Sequence, residues 1–167
     1  MKSSIIALFL ILLYSTVSAQ SAKEFYNSAN AKLDKKQYKA AIRDYDSAIE
    51  INNLFAEAYY NRALAKNYIK DYKGALSDFS KTIELNPGNV MAYNNRGLMK
   101  KNLKDYDGAF ADYSKAIELD ETFASAYFNR GNIKVLTDQP ELGCDDFKKA
   151  LDLGMIKALE YINKYCK

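Results

Sequence analysis

"YNNRG", Tyr93–Gly97, lies in the middle of the chain, and near-copies flank it: "YYNRA" at Tyr59–Ala63 and "YFNRG" at Tyr127–Gly131. Read alone, Asn-Arg before a small residue has the chemistry of a polar loop that grips an anion. Read three times, it marks a repeated structural unit, and a fixed period takes precedence over a local motif.

The period is 34 residues, and it organises most of the chain. Phe25, Tyr59, Tyr93 and Tyr127 follow one another at that step, as do Ala41, Ala75, Ala109 and Gly143. So do Tyr45, Phe79, Tyr113 and Phe147, then Ala48, Thr82, Ala116 and Ala150, then Ile51, Leu85, Leu119 and Leu153. Four units follow without insertion or deletion: Ala22–Phe55, Ala56–Asn89, Val90–Phe123 and Ala124–Lys157.

Each unit reads as two helices. In the third, Ala92, Tyr93, Arg96, Gly97 and Lys100 recur at helical spacing and predict a helix from about Val90 to Leu103. Lys104-Asp105 makes a turn, with Asp105 placed to cap a second helix from about Tyr106 to Leu119. Ala109, Tyr113 and Ala116 mark one face of that helix. Asn86-Pro87-Gly88 closes the unit before. Small residues in the eighth and twentieth places let the helices approach, and the aromatic in the twenty-fourth fills the space between them. One such pair cannot bury its apolar face alone, whereas a stack can.

On these residues the chain resembles the tetratricopeptide repeat (TPR) family. The likeness covers Ala22–Lys157 and rests on the period, the aromatic fourth place, the small eighth and twentieth, the aromatic twenty-fourth and Pro87 in the thirty-second. It implies an all-α, right-handed superhelical solenoid of four helix-turn-helix repeats, with residues 158–167 as a capping helix. Two columns depart from the family pattern. The seventh place, usually Leu, holds Ser28, Arg62, Arg96 and Arg130, and the eleventh, usually Tyr, holds Lys32, Lys66, Lys100 and Lys134. The segment "GCDDFKKALDLG" with "ALEYINKYC" also resembles the C-terminal unit of Sel1-like repeats.

The first residues carry a different pattern. Lys2, the apolar run Ile5–Tyr14 and the small residues Val17-Ser18-Ala19 predict a secretory signal peptide over 1–19, and hence an exported, periplasmic or secreted protein. The apolar run is about half the ~20 residues a membrane-spanning helix needs. No membrane span is expected after cleavage. Removing Lys2 leaves 23 basic against 21 acidic residues, a net +2, with signs interspersed, so no nucleic-acid partner is expected. In an exported chain, Cys144 and Cys166 are candidates for a disulfide, formed if the terminal helix folds back on the last repeat.

Catalysis finds little support. The chain has no His, no Cys-x-x-Cys and no Gly-rich phosphate loop, so no cofactor or metal is expected. Asp145 and Asp146 are adjacent on a helix, point about 100° apart and read as a solvated face.

The Arg column invites pairing with the Asp column in the twenty-third place. Where first helices pack on the preceding unit's second helix, Arg62 would meet Asp44, Arg96 would meet Asp78 and Arg130 would meet Asp112, with Lys164 meeting Asp146 in the cap. This ladder would join the repeats structurally. Asn27, Asn61, Asn95 and Asn129 fill the sixth place; each would bond a neighbouring helix or face a ligand.

The family resemblance implies a concave groove lined by first helices, carrying Tyr26, Asn30, Tyr60, Asn61, Leu64, Tyr68, Asn94, Leu98, Phe128 and Asn132 here. That surface is aromatic and amide-rich and suits a protein or peptide partner. Some TPR proteins hold an acidic C-terminus with a carboxylate clamp. Asn30 and Asn61 match two of its places, but Tyr26, Met91 and Asn95 stand where its cations would be. The alternative function is a structural spacer or homo-oligomeric envelope component without a peptide ligand.

Overall fold

The computed structural model describes residues 20–166, so the signal-peptide reading of 1–19 lies outside the described residues. Those residues form two compact units, one ending at Asp71 and one from Tyr72 onward. Secondary structure among them is helical throughout.

The first unit holds α1 (20–34), α2 (Tyr38–Ile51) and α3 (Ala56–Tyr68). Its core is small and aromatic: Ala29, Ala41, Tyr45, Ala48, Ala58 and Ala65 are buried, with Tyr26, Leu33, Phe55 and Tyr59 packed around them. Alanines at the crossing points bring the helices close, and the Tyr45 ring fills the gap they leave.

The second unit holds α4 (Tyr72–Leu85), α5 (Val90–Asn102), α6 (Tyr106–Leu119), α7 (Ala124–Leu136), α8 (Pro140–Asp152) and α9 (Ala158–Tyr165). Consecutive helices pack on one another, and α5 also touches α7. The small eighth place is needed for this contact. A Cβ added to Gly97 would stand 2.8 Å from the Tyr113 ring, and one added to Gly131 would stand 2.8 Å from Phe147. Asp105 caps α6 as expected, accepting from the Gly108 N–H at 3.0 Å, and Asn89 does the same for α5 through Ala92.

One device ends the first helix of every repeat. Lys36, Lys70, Lys104 and Asp138, all in the fifteenth place, adopt left-handed backbone with φ between 57° and 64°. The next residue's N–H then reaches back to the carbonyl in the eleventh place, as Asp105 does to Lys100 at 2.9 Å. This satisfies a carbonyl the helix end would leave open. A lysine in this conformation costs more than a glycine, although its charge suits the negative end of the helix.

The terminal helix α9 closes the last repeat. Ala158 is buried, and Tyr161 sets its ring 4.8 Å from Phe128 and 5.2 Å from Phe147. Cys166, just beyond α9, is bonded to Cys144 on α8, with the two Cα atoms 5.6 Å apart. No helix of the described residues is long and apolar enough to cross a membrane.

Candidate functional site

The Tyr93–Gly97 motif is a helix turn with its residues facing three ways. Tyr93 lies under the Arg96 guanidinium at 5.4 Å, and Tyr59–Arg62 and Tyr127–Arg130 repeat this stacking at 5.3 and 5.7 Å. Gly97 faces the second helix. Asn94 and Asn95 face neither.

The arginines do form a ladder, but in a different register from the expected one. Arg96 holds Asp112 through two bonds, Nε–Oδ2 at 2.8 Å and Nη2–Oδ1 at 2.6 Å. Arg130 holds Asp146 the same way, at 3.0 and 2.6 Å. Both partners belong to the arginine's own repeat, so the expected pairs of Arg96 with Asp78 and Arg130 with Asp112 are replaced by pairs across one helix-turn-helix. The fork reaches the preceding repeat with its remaining nitrogen. Arg96 Nη1 meets Ser80 at 3.4 Å, Arg130 Nη1 meets Ser114 at 3.3 Å, and Arg62 Nη1 meets Asp46 at 2.6 Å. The residue met is therefore in the twenty-fifth place rather than the twenty-third. Second helices turn about 100° per residue, and two positions on bring a side chain round to the junction.

Asp112 also receives Lys100 at 2.9 Å, and Asp146 receives Lys134 at 3.0 Å. In the first repeat Asp44 binds Lys32 and Ser28. Ser28 stands in the arginine's place there, and it still bonds the own-repeat Asp. Burial pushes the Asp44 carboxyl up, but the hydrogen bonds from Lys32 and Ser28 and the charges of Lys32 and Arg43 outweigh it and hold the group below its ordinary range. The Asp112 carboxylate in turn raises the Arg96 guanidinium. The seventh-place Arg and eleventh-place Lys, which depart from the family pattern, are one change: both serve the buried Asp across the helix pair. The invariant Lys column beside the invariant Asp column was the signal that sequence reading passed over. Lys164 does not join Asp146; it lies exposed, with its ammonium 5.0 Å from the Tyr165 ring.

The sixth-place asparagines connect first helices. Asn61 donates to the Tyr26 hydroxyl and to Asn30 Oδ1, both at 3.0 Å, and Asn30 Oδ1 also accepts from the Tyr45 hydroxyl at 2.6 Å. Asn129 donates to Asn94 Oδ1 at 2.9 Å. The amide thus bonds a side chain one first helix earlier. In the third repeat the ninth place is Leu98 instead of Asn, and the Tyr113 hydroxyl is buried without a partner among the described residues.

Exposure sorts the expected groove residues. Tyr26, Asn30, Tyr60, Asn61, Leu64, Leu98 and Asn132 are partly exposed, and Tyr68 is open, stacking on Tyr38 at 4.6 Å. Asn94 and Phe128 are each only 8% exposed. Asn94 is taken up by the bond from Asn129, and Phe128 is covered by Tyr161 and by the Lys157 ammonium 5.6 Å from its ring. No cluster of His, Cys, Asp or Glu among the described residues is arranged to hold a metal ion.

A model described as "Tetratricopeptide repeat" matches residues 56–89 and 90–123, and a second, "TPR repeat", matches 29–66. Neither extends to the C-terminal unit with its Sel1-like segment. No curated protein matches the chain by sequence. Among solved structures, MamA 41-end from Desulfovibrio magneticus RS-1 is similar at 22% identity, covering 87% of this chain and 93% of its own, with a TM-score of 0.76. The first TPR of Spaghetti (RPAP3) bound to HSP90 peptide SRMEEVD is similar at 24% identity, over 72% and 95% of the two chains, with a TM-score of 0.70. The Arabidopsis OM64 TPR domain is similar at 27% identity, over 71% and 98%, with a TM-score of 0.69.

Proposed function

Because this chain belongs to the tetratricopeptide repeat family, we propose that it is an exported interaction scaffold. It binds a peptide or partner protein along the strips its first helices present, and it performs no chemistry of its own. The observation that carries this reading is how the first helices divide their side chains. Their ladder cations turn toward the second helices: Lys32 to Asp44, Arg96 and Lys100 to Asp112, Arg130 and Lys134 to Asp146. What remains on the other side is largely neutral and partly exposed: Tyr26, Asn30, Leu64 and Tyr68 in the first unit, Leu98 and Asn132 in the second. Rigid aromatic and amide groups with little charge suit an extended segment, whose main chain needs hydrogen-bonding partners and whose side chains need apolar contact.

The Spaghetti TPR domain is bound to an HSP90 peptide. The first-helix side supports a similar mode here, but Tyr26, Met91 and Asn95 stand at the places where the family's clamp has cations, so a terminal carboxylate is not held in the same way. Export is supported by the leader pattern of residues 1–19 and agrees with the Cys144–Cys166 bond, since such bonds persist in oxidising compartments.

The test is a crosslinking pull-down from the native envelope or secreted fraction, using the protein and its Tyr60→Ala/Leu98→Ala variant. Partners lost from a variant with unchanged circular dichroism support the reading. Partners retained in full transfer the function to another face or to a spacer role.

A further inference from the structure

Three places of the repeat carry opposite charge in the first and last repeats. The fifteenth, eighteenth and twenty-second places hold Lys36, Lys39 and Arg43 in the first, and Asp138, Glu141 and Asp145 in the fourth. In the repeats between, they hold Lys70, Lys73 and Ser77, then Lys104, Asp107 and Ala111. Charge in these places thus passes from three positive to three negative along the chain. The twenty-fifth place inverts as well, from Asp46 to Lys148.

These places form an edge where the turn meets the start of the second helix. In the first unit Lys36, Lys39 and Arg43 line one open cavity of about 410 Å³, together with Tyr38, Ala40 and Ile69. In the second unit Glu141 and Asp145 line a cavity of about 360 Å³, with Lys148 beside them, and Asp138 takes the same left-handed turn position as Lys36, at φ 57° against 58°. All of these triad side chains are exposed, and none makes a hydrogen bond or ion pair with a described residue. Lys39 and Arg43 stand at i and i+4 on α2, and Glu141 and Asp145 do so on α8, so each edge carries its own repulsion. A surface of opposite sign relieves it.

The nineteenth place adds shape to charge. In the basic edge it is Ala40, which leaves the cavity open; in the acidic edge it is Leu142, 60% exposed beside Glu141. Ile69 in the cavity wall is exposed, and so is Tyr68, which stacks on Tyr38 at 4.6 Å. These groups offer a leucine side chain apolar contact.

We infer that the basic edge of the first repeat docks a second copy of this chain by the acidic edge of its fourth repeat. Lys36, Lys39 and Arg43 face Asp138, Glu141 and Asp145, and Leu142 seats over Ala40. The two surfaces differ, so the contact is head-to-tail, and each copy keeps an edge for the next until a row ends or a ring closes. A polyanion or an anionic lipid surface would match the basic edge alone and leave the acidic edge and Leu142 without a role. The contact uses turns and second helices. It therefore stands whether or not the first-helix strips bind a peptide.

Sedimentation velocity over rising protein concentration tests this. Self-association should weaken about tenfold between about 0.05 M and about 0.5 M salt, as a few exposed ion pairs would. Lys36→Glu/Lys39→Glu/Arg43→Glu and Asp138→Lys/Glu141→Lys/Asp145→Lys, each folded by circular dichroism, should stay monomeric alone. An equal mixture of the two should associate again, because one keeps the acidic edge and the other the basic edge. Leu142→Ala should weaken association of the wild-type protein about tenfold. A wild-type protein that is monomeric throughout, or a mixture that does not associate, would overturn the inference. Association that survives either charge reversal would move the contact to another face and overturn it equally. Monomers throughout, with the first variant alone losing its hold on phosphatidylglycerol vesicles, would give the basic edge to a lipid surface instead.

Discussion

Arg96 and Asp112 meet through two parallel hydrogen bonds, at 2.8 and 2.6 Å, and so join the two helices of one repeat rather than two successive repeats. Asp112 is 4% exposed and also holds Lys100. Removing it strands two cations. Asp112→Ala should therefore cost about 2–4 kcal/mol, less than for a fully buried pair because both cations keep some water. Arg96→Ala should cost less, since Lys100 still neutralises the aspartate. A double-mutant cycle by urea denaturation should give a coupling of about 1–3 kcal/mol between Arg96 and Asp112. Additive losses would show that the fork contributes geometry but no net energy.

Much of this architecture was legible in the chain, because the physics that sets it is local and repeated. Helix termini depend on residues such as Asp105, whose carboxylate caps within three positions, and α6 runs Tyr106–Leu119 as its apolar spacing implies. Crossing points follow from Gly97 and Gly131, where any side chain would collide with a ring. Pairing across helices was harder to read. Asp78 and Asp112 belong to one column, on either side of Arg96 in the chain, and the rotation of the second helix decides which one the fork reaches. The strip residues were harder still. The repeat pattern assigns Asn94 and Phe128 to the groove, but Asn129 on α7 takes up the first and Tyr161 and Lys157 of the α9 segment cover the second, so the cover comes two helices on rather than from their own.

Tyr45 and Tyr113 occupy equivalent places with opposite hydrogen-bonding fates, which predicts opposite responses to one substitution. The Tyr45 hydroxyl donates to Asn30 at 2.6 Å, so Tyr45→Phe should cost about 1 kcal/mol. The Tyr113 hydroxyl is buried without a partner, so Tyr113→Phe should be neutral or stabilise by up to about 1 kcal/mol. Denaturation midpoints at neutral pH decide this. Equal losses in both variants would mean that Tyr113 finds a partner in solution.

The same two phenols make stability depend on alkaline pH. Burial, chiefly, raises both above the ordinary tyrosine range, while in the unfolded chain they ionise near their ordinary value of 10. Below that value both states hold the proton and the groups contribute no slope. Above it the unfolded state releases protons the folded state retains, so stability falls as pH rises. The Tyr45→Phe/Tyr113→Phe protein should lose less stability than the parent between pH 10 and pH 11, with lysine titration common to both. Parallel curves would show that these phenols do not carry the slope.

Left-handed lysines at the ends of first helices predict a gain. Lys104 has φ 64°, a conformation glycine reaches without the clash of a Cβ atom. Lys104→Gly should stabilise the protein by about 0.5–1 kcal/mol, after the greater freedom of glycine in the unfolded chain is subtracted. Lys104→Ala should not, since alanine meets the same clash and loses the charge at the helix end. Thermal midpoints of the two variants separate backbone relief from charge: a gain with alanine as large as with glycine would refute the backbone account.

The Cys144–Cys166 bond should protect α9 more than the rest of the protein. It closes a segment of 22 residues, and opening it should cost about 3 kcal/mol by chain entropy. The helix it secures has eight residues, too few to persist alone, and its packing rests on Ala158 and on Tyr161 against Phe128 and Phe147. In Cys144→Ser/Cys166→Ser, amide exchange over 158–165 should speed up well before exchange in α5 and α7 changes, because those helices keep their ladder bonds to Asp112 and Asp146. Loss of α9 would also uncover Phe128, which should then bind a hydrophobic dye. If all helices exchange faster together, the bond supports the unit as a whole. If none changes, side-chain packing alone holds α9 in place.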